Sequence, residues 1–167
     1  IQTRVQETNV KQVVSNSVIN QTQGTIFYDI NLNNITSNSQ YVGVLSDGTS
    51  TNRIQFLNNT SQDWQLFISA STISNNINLI ADTNGELRYK IAISYESGNV
   101  CFFINGFKIG TSTETFTFNN LLHFDLGQRY DNDYFLHNPI NEVALYDDRQ
   151  TDLELETLTS YRTWEEM

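Results

Sequence analysis

The sequence is poor in cysteine, proline and basic side chains, and each of these scarcities excludes a kind of structure or a class of partner. One cysteine, Cys101, rules out an internal disulfide and any metal site built from several cysteines. Nine Lys and Arg against 19 Asp and Glu leave a net charge of −10, so the chain lacks the basic surface that binds nucleic acid. One proline, Pro139, and no Gly/Ser run mean that no linker is recognisable. We therefore expect a single domain over residues 1–167.

Long apolar runs are also missing. No stretch is long enough to span a bilayer, and no signal-peptide pattern is present, so we expect no membrane partner. The sequence starts at Ile1 rather than at Met, which suggests a piece of a longer polypeptide. Residues 1–20 are expected to form either a linker or an edge strand.

What the sequence does contain is alternation, clearest between residues 87 and 110. Apolar residues recur here with a period of two, which predicts a half-buried strand. One face of that strand would carry Leu87, Tyr89, Ile91, Ile93 and Tyr95. Further along, Asn105-Gly106 predicts a type I′ hairpin turn. That turn sets Ile104 opposite Phe107 and Phe102 opposite Ile109, so both pairs are predicted to face the core.

Short strands with turn residues between them continue along the chain. They are predicted at residues 10–14, 24–32, 41–46, 53–57, 63–70, 75–81, 121–128 and 140–147. Trp64 alternates with Leu66 and Ile68 and is predicted to lie in the core. This spacing of strands indicates an all-β antiparallel sandwich or barrel. Only the end is helical: Thr151 to Glu154 fits a capping box, with a helix over residues 152–162 and Trp164 docking it.

Several short motifs, taken in order, carry a family resemblance. They are Gly24-Thr25-Ile26, residues 46–50 with Asn52-Arg53-Ile54, residues 90–95, residues 103–106 with Gly110-Thr111, Leu126-Gly127-Gln128, residues 140–147, and Thr151-Asp152 with Glu154-Leu155. From residue 24 to residue 159 the chain resembles the concanavalin A-like (laminin G-like) jelly rolls, in a version similar to those on bacteriophage tail and other virion proteins. The resemblance implies a β-sandwich jelly roll with a short C-terminal helix.

The same resemblance implies a function and a setting. It implies a carbohydrate-binding or adhesive module, exposed on a virion surface. Its partners would be a glycan and other virion subunits, and an oligomer would form through the parent protein. We expect no cofactor other than Ca²⁺.

Catalysis is not expected from the residues present. Some enzymes of this fold cut β-glucans with a Glu-x-Asp-x-x-Glu run on one strand, and the sequence has no such run. His123 and His137 lack a serine or cysteine partner in any recognisable motif. Cys101 alternates with core residues and is interpreted as a passive thiol. Glycoside hydrolysis is kept only as a remote alternative.

The best candidate for a glycan site is one polar segment rich in aromatic residues: Arg129, Tyr130, Asp131, Asn132, Asp133 and Tyr134. Proteins bind sugars with polar side chains that hydrogen-bond pairs of hydroxyl groups and with aromatic rings that pack on the apolar face of the sugar ring. Asp131 and Asp133 could instead hold Ca²⁺, or the segment could be only a solvated turn. A second polar loop contains Asp47, Asn52 and Arg53, with local backbone hydrogen bonds as its alternative role.

Three aromatic residues are predicted to point away from the core. Phe27, Phe67 and Phe103 lie on faces opposite the core residues of their strands, which predicts a partner interface. They could also form a stacking platform for a sugar on a concave sheet, or be covered by a terminal segment or the closing helix. Coverage or a chain–chain contact is preferred, because glycan platforms are more often Trp or Tyr. The sequence thus favours a glycan-binding module, with a purely structural virion module, docking through these phenylalanines, as the competing hypothesis.

Overall fold

The computed structural model describes residues 10–13, 19–83 and 85–161, and within them the chain forms two antiparallel sheets and one short helix. The strands are β1 (Val10–Val13), β2 (Gln23–Asn31), β3 (Gln40–Ser46), β4 (Arg53–Asn58), β5 (Trp64–Ser69), β6 (Ile77–Ala81), β7 (Arg88–Glu96), β8 (Asn99–Ile104), β9 (Phe107–Ser112), β10 (His123–Leu126) and β11 (Ile140–Tyr146), and the helix is α1 (Asp152–Thr159). The six-stranded sheet has the order β1-β10-β3-β4-β5-β6, and the five-stranded sheet has the order β11-β2-β7-β8-β9. The predicted β-sandwich jelly roll with a C-terminal helix is confirmed. Trp164, predicted to dock the helix, lies outside the described residues.

The core lies between the two sheets and is dominated by aromatic rings. Phe56 stacks on Tyr28 and on Trp64, with ring centres 5.7 and 5.1 Å apart, and meets Phe102 edge-on at 5.7 Å. Trp64 also meets Tyr89 at 5.1 Å. All five rings are buried, as the alternation predicted for Trp64. Because each strand supplies every second side chain to this layer, the faces that point away from it decide what else the protein can contact.

The central hairpin forms where Asn105-Gly106 predicted it, but its register shifts after two pairs. Ile104 lies opposite Phe107, whereas Phe102 pairs with Gly110 because a bulge falls between Phe102 and Phe103. The extra residue of the bulge removes Ile109 from its predicted position opposite Phe102. Phe107 keeps its predicted partner, but it lies on the edge strand of its sheet. The prediction that Phe107 and Ile109 face the core is therefore wrong: their side chains are 73% and 37% exposed.

The strand predicted at residues 87–95 was expected to be buried on one face, but in the structure both of its faces are buried over much of its length. β7 begins at Arg88 rather than at Leu87, which is 70% exposed. From Ile91 to Tyr95 every residue is buried, including Ala92 and Ser94 on the outer face. A second layer must therefore cover this sheet on its outer side.

Helix α1 supplies that layer. Leu155 is fully buried against Phe27, Ala92, Cys101 and Phe103. Phe27 and Phe103 are 4% and 3% exposed, so the predicted partner interface is wrong for these two residues, and the alternative of coverage by the closing helix is what the structure shows.

Both ends of α1 are fixed. The predicted capping box is present: Thr151 accepts from the backbone of Glu154, and the Glu154 carboxylate accepts from the backbone of Thr151. At the other end Thr159 accepts a hydrogen bond from the Gly106 backbone N–H at 3.0 Å, which joins the helix to the hairpin turn. In the described part of the chain, no helix is long and apolar enough to cross a membrane.

Candidate functional site

The outer face of the six-stranded sheet carries a group of polar side chains at its centre. On β4, Ile54 and Phe56 point into the core, so Arg53 and Gln55 point outward. Gln55 lies opposite Phe67 of β5, the third outward phenylalanine, which is partly exposed. The Arg53 guanidinium carbon lies 5.1 Å from the centre of the Phe67 ring.

The segment that the sequence singled out folds over this face. Tyr130 packs against a small apolar cluster formed by Tyr41, Val44 and Leu57 on the outer side of the sheet. The ring of Tyr130 thereby comes to 5.4 Å from the guanidinium carbon of Arg53. Arg53 therefore has one aromatic ring at 5.1 Å and another at 5.4 Å, and we call this group of Arg53, Phe67 and Tyr130 the arginine clamp.

The arginine of the clamp has unused hydrogen-bonding capacity. Its Nε is buried with no hydrogen-bond partner among the described residues, and the nearby Oε1 of Gln55 is in the same state. Among the ion pairs formed between described residues, none involves Arg53. Buried polar groups are normally satisfied, so an arginine left in this state suggests a ligand as the missing partner.

Arg129, the cation of the 129–134 segment itself, already has an ion-pair partner. It donates to both carboxylate oxygens of Asp131, from Nε at 2.8 Å and from Nη2 at 2.5 Å. This bidentate pair lowers the pKa of Asp131. The guanidinium carbon of Arg129 lies 4.1 Å from the centre of the Tyr134 ring, so the pair also holds that ring in place.

Residues 129–133 form a tight turn, as the alternative interpretation of this segment proposed. The Arg129 N–H donates to the Asp133 carbonyl at 2.9 Å, and the Asn132 N–H donates to the Arg129 carbonyl at 3.0 Å. Asn132 has a φ of 61°, a left-handed conformation that asparagine tolerates. The turn and a binding role are compatible, because the turn presents Tyr130 and Tyr134 on either side of Arg129.

The carboxylates of this turn fit a calcium ion poorly. Ca²⁺ takes six to eight oxygen ligands, and both oxygens of Asp131 already accept from Arg129. Over residues 10–13, 19–83 and 85–161 there is no group of three or more His, Cys, Asp or Glu side chains suited to a metal. Ca²⁺ at Asp131 and Asp133 stays a prediction.

The second polar loop divides into two parts. Asp47 accepts from the Thr49 hydroxyl at 2.6 Å and from the Asn52 amide at 2.8 Å, and Asn52 in turn accepts from the Ser71 backbone at 3.2 Å. Asp47 and Asn52 therefore make the local hydrogen bonds that the alternative proposed. Arg53, one residue later, is on the sheet face and belongs to the clamp.

A groove of about 400 Å³ lies beside Tyr134, where the β2–β3 loop meets the chain between β10 and β11. We call it the end groove, and its lining residues are Thr36, Asn38, Ser39, Gln40, Asp133, Tyr134, Phe135 and His137. Gln40 is buried at its floor, where its amide donates to the Asn34 carbonyl at 3.0 Å and accepts from the His137 backbone at 3.0 Å. The same amide oxygen accepts from Asn138 at 3.0 Å, which ties the two loops together.

The remaining reactive side chains have structural surroundings. Cys101 is 2% exposed beneath α1, with its Sγ 3.5 Å from both Asp152 Oδ1 and Arg149 Nη2. His123 is on β10, and His137 is on the rim of the end groove. The two histidines therefore lie in different elements, one in a strand and one in a loop.

Two parts of the site were missed from the sequence. Gln55 had a detectable signal, because it is polar and shares the outward face of β4 with Arg53 in an otherwise apolar strand. The end groove had none, because its two walls come from loops about a hundred residues apart.

Comparisons with known proteins agree with this architecture. A family model described as the concanavalin A-like lectin/glucanases superfamily (Laminin_G_3) matches residues 7–156. The chain belongs to this superfamily. The predicted resemblance is thus confirmed, while the virion setting stays a prediction. A comparison of this chain with curated proteins found no match.

Solved structures similar to this lectin/glucanase-superfamily chain include several modules of sialidases. The CBM40 of the Ruminococcus gnavus IT-sialidase, bound to α2,3-sialyllactose, has a TM-score of 0.69 and 19% identity over 84% of this chain and 84% of that one. The NanB sialidase from Streptococcus pneumoniae has a TM-score of 0.74 and 16% identity over 91% of this chain and 27% of that one.

A third similar structure comes from another class of carbohydrate enzyme. Domain 4 of AbnA, a GH43 extracellular arabinanase from Geobacillus stearothermophilus in complex with arabinotriose, has a TM-score of 0.68 and 15% identity over 91% of this chain and 72% of that one. At these identities the likeness to all three concerns the fold.

Proposed function

We propose that this chain is a non-catalytic carbohydrate-binding module that holds an acidic glycan on the outer face of its six-stranded sheet. The arginine clamp is the centre of the site, and Arg53 pairs with a carboxylate of the sugar. The observation that carries the proposal is the state of Arg53, which is set between two aromatic rings and has a buried Nε without a partner among the described residues.

The chemistry of the clamp favours an anion that also carries an apolar face. A guanidinium offers a planar fork that matches a carboxylate and pairs with both of its oxygens. The Phe67 and Tyr130 rings provide apolar surface beside that fork, and Gln55 Oε1 is an acceptor for a sugar hydroxyl. In a chain of net charge −10, an arginine that has no carboxylate partner among the described residues is a specific positive point on an acidic surface.

Similar folds that hold acidic sugars support the same ligand class. The R. gnavus CBM40 is bound to α2,3-sialyllactose in one solved structure and to α2,6-sialyllactose in another, the latter with a TM-score of 0.62 and 17% identity. Sialyllactose carries one carboxylate on its terminal sugar, the group that Arg53 is suited to hold. We therefore use 3′-sialyllactose as the acidic probe and lactose as its neutral counterpart.

The test compares Arg53→Gln with Lys108→Gln by titration calorimetry. Lys108 is an exposed cation near α1, paired with Asp152 at 2.8 Å, so its replacement removes the same charge from the other sheet. A hydrogen bond to a charged group contributes about 1.5–3 kcal/mol, so Arg53→Gln should weaken binding of 3′-sialyllactose by about 10- to 150-fold. Lys108→Gln should leave the affinity within about twofold.

Three results bear on the proposal. Tighter binding of 3′-sialyllactose than of lactose, lost in Arg53→Gln, supports it. Equal binding of the two sugars, or unchanged affinity in Arg53→Gln with the fold intact by circular dichroism, overturns it. Release of reducing sugar from a β-glucan would overturn the non-catalytic part.

The competing structural role has lost its main support. It depended on outward phenylalanines, and Phe27 and Phe103 are buried beneath α1. Attachment to a virion, contacts with other virion subunits and a homo-oligomer stay predictions from the sequence resemblance, independent of the proposed site.

A further inference from the structure

We propose that the end groove is a second subsite of the same binding site, which takes a neutral, hydroxyl-rich sugar next to the acidic sugar held by Arg53. The inference rests on the proposed function for the position of the acidic sugar. It makes the ligand an oligosaccharide rather than a single acidic sugar.

The clamp and the groove are joined by a continuous row of side chains. Tyr130 lies 5.4 Å from the Arg53 guanidinium and 5.8 Å from the Arg129 guanidinium, measured from its ring centre. Arg129 in turn lies 4.1 Å from the ring of Tyr134, which lines the groove. Rings and guanidinium groups thus alternate from the sheet face to the groove, so one extended ligand can contact both.

The charge of the groove differs from that of the clamp. Its eight lining residues include one carboxylate, Asp133, and no lysine or arginine. A second anion would be repelled by Asp133, whereas a sugar hydroxyl can donate to it in a charge-assisted hydrogen bond. The side chains of Asn38, Ser39 and His137 add donors and acceptors on the opposite wall and rim.

Two aromatic rings complete the groove. Tyr134 and Phe135 are 39% and 41% exposed, unlike the buried rings of the core. An exposed ring beside convergent polar groups is the arrangement that orients a sugar, with hydroxyls on the polar groups and the apolar ring face on the aromatic. An anionic sugar in the clamp and a neutral sugar in the groove therefore match the two halves of the site.

The groove is organised in advance of any ligand. Its floor is fixed by Gln40, whose amide nitrogen and oxygen are all engaged with the two loops. Tyr134 has a φ of 56°, which a bulky residue adopts only when its surroundings hold it there. Those surroundings are the Tyr41 N–H, which donates to the Tyr134 carbonyl at 3.2 Å, and the Arg129 guanidinium over the ring.

The test compares Phe135→Ala with Phe107→Ala, which makes the same change at an exposed phenylalanine of β9 in the other sheet. Titration calorimetry is done with 3′-sialyllactose and with N-acetylneuraminic acid alone. Phe135→Ala should weaken binding of 3′-sialyllactose by about 2- to 10-fold and leave that of N-acetylneuraminic acid unchanged. Phe107→Ala should change neither affinity.

The outcomes separate this inference from the proposed function. If Phe135→Ala changes the two affinities equally, or changes neither, the groove inference is overturned while an effect of Arg53→Gln still supports the clamp. If 3′-sialyllactose does not bind, the proposed function fails, and the groove is judged by ¹⁵N–¹H chemical shifts with lactose and arabinotriose. Shifts at Ser39, Gln40 and residues 133–137 then support a neutral sugar site, and their absence overturns it.

Discussion

Leu155→Ala is the substitution that best tests the layer formed by helix α1. Leu155 is fully buried against Phe27, Ala92, Cys101 and Phe103 on the outer face of the five-stranded sheet. Replacing a buried leucine with alanine removes its transfer free energy and leaves a cavity, which costs about 3 kcal/mol. For a chain of this size, each kcal/mol lowers Tm by about 2–4 °C, so we expect a loss of about 6–12 °C. Thermal unfolding by circular dichroism and urea unfolding measure the change.

Leu153→Ala is the matched control, because Leu153 is on the same helix and 72% exposed. A surface substitution of this kind changes stability by no more than about 0.5 kcal/mol. Equal effects of the two substitutions on Tm would contradict the burial of Leu155 against the sheet. They would mean that α1 does not cover the sheet, and that Phe27 and Phe103 are free for the partner contact predicted from the sequence.

Three further predictions concern the helix cap, acid stability and calcium. Thr151→Ala removes the N-cap hydroxyl and should lower the free energy of unfolding by about 1 kcal/mol in urea titration; no change would contradict the capping role. Burial raises the pKa of Asp29, but hydrogen bonds and charge from Arg88 outweigh it and lower the pKa overall. The ionised Asp29 carboxylate therefore stabilises the fold at pH values above its unfolded pKa, which is near 3.9. This stabilisation is lost as the pH falls through the lower pKa of Asp29 in the folded state. Asp29→Asn should therefore flatten the loss of stability below about pH 5. An unchanged pH profile would contradict this. Calcium held at Asp131 and Asp133 would add about 2.7 kcal/mol at 100 times its Kd, so equal Tm values with CaCl₂ and with chelator would remove that prediction.

The hairpin shows how far the sequence can predict register. Asn105-Gly106 determined the turn and the first pair, Ile104 with Phe107, because a two-residue loop constrains the residues next to it. The bulge after Phe103 has no comparable signal, since alternation continues across it in the sequence. Ile109 was therefore placed opposite Phe102 and assigned to the core. Phe107 was assigned to the core because Ile104 is, but it lies on the edge strand and is exposed.

The outward phenylalanines show a second limit of sequence patterns. Alternation placed Phe27 and Phe103 correctly on the outer face of their sheet, but it cannot say what packs on that face. The covering residue, Leu155, comes from a helix about fifty residues after Phe103 in the chain. The capping box predicted the helix itself, and only the tertiary structure shows where it docks.

The candidate site divides in the same way. Composition identified residues 129–134 and the loop with Arg53 as separate polar segments, because a carboxylate and a guanidinium group occur close together in each, with two tyrosines in the first. It did not predict that Tyr130 would lie over Arg53, since that contact joins loops that are far apart in the chain. The site is therefore a product of the six-stranded sheet, whose strand order brings the loop after β10 beside β3 and β4.

The most direct measurement for the proposed binding site is a crystal structure of the chain with 3′-sialyllactose. We expect the sugar carboxylate within hydrogen-bond distance of the Arg53 guanidinium, with Tyr130 and Phe67 against the ligand. A sugar bound elsewhere on the sandwich, with Arg53 Nε still lacking a partner, would contradict it.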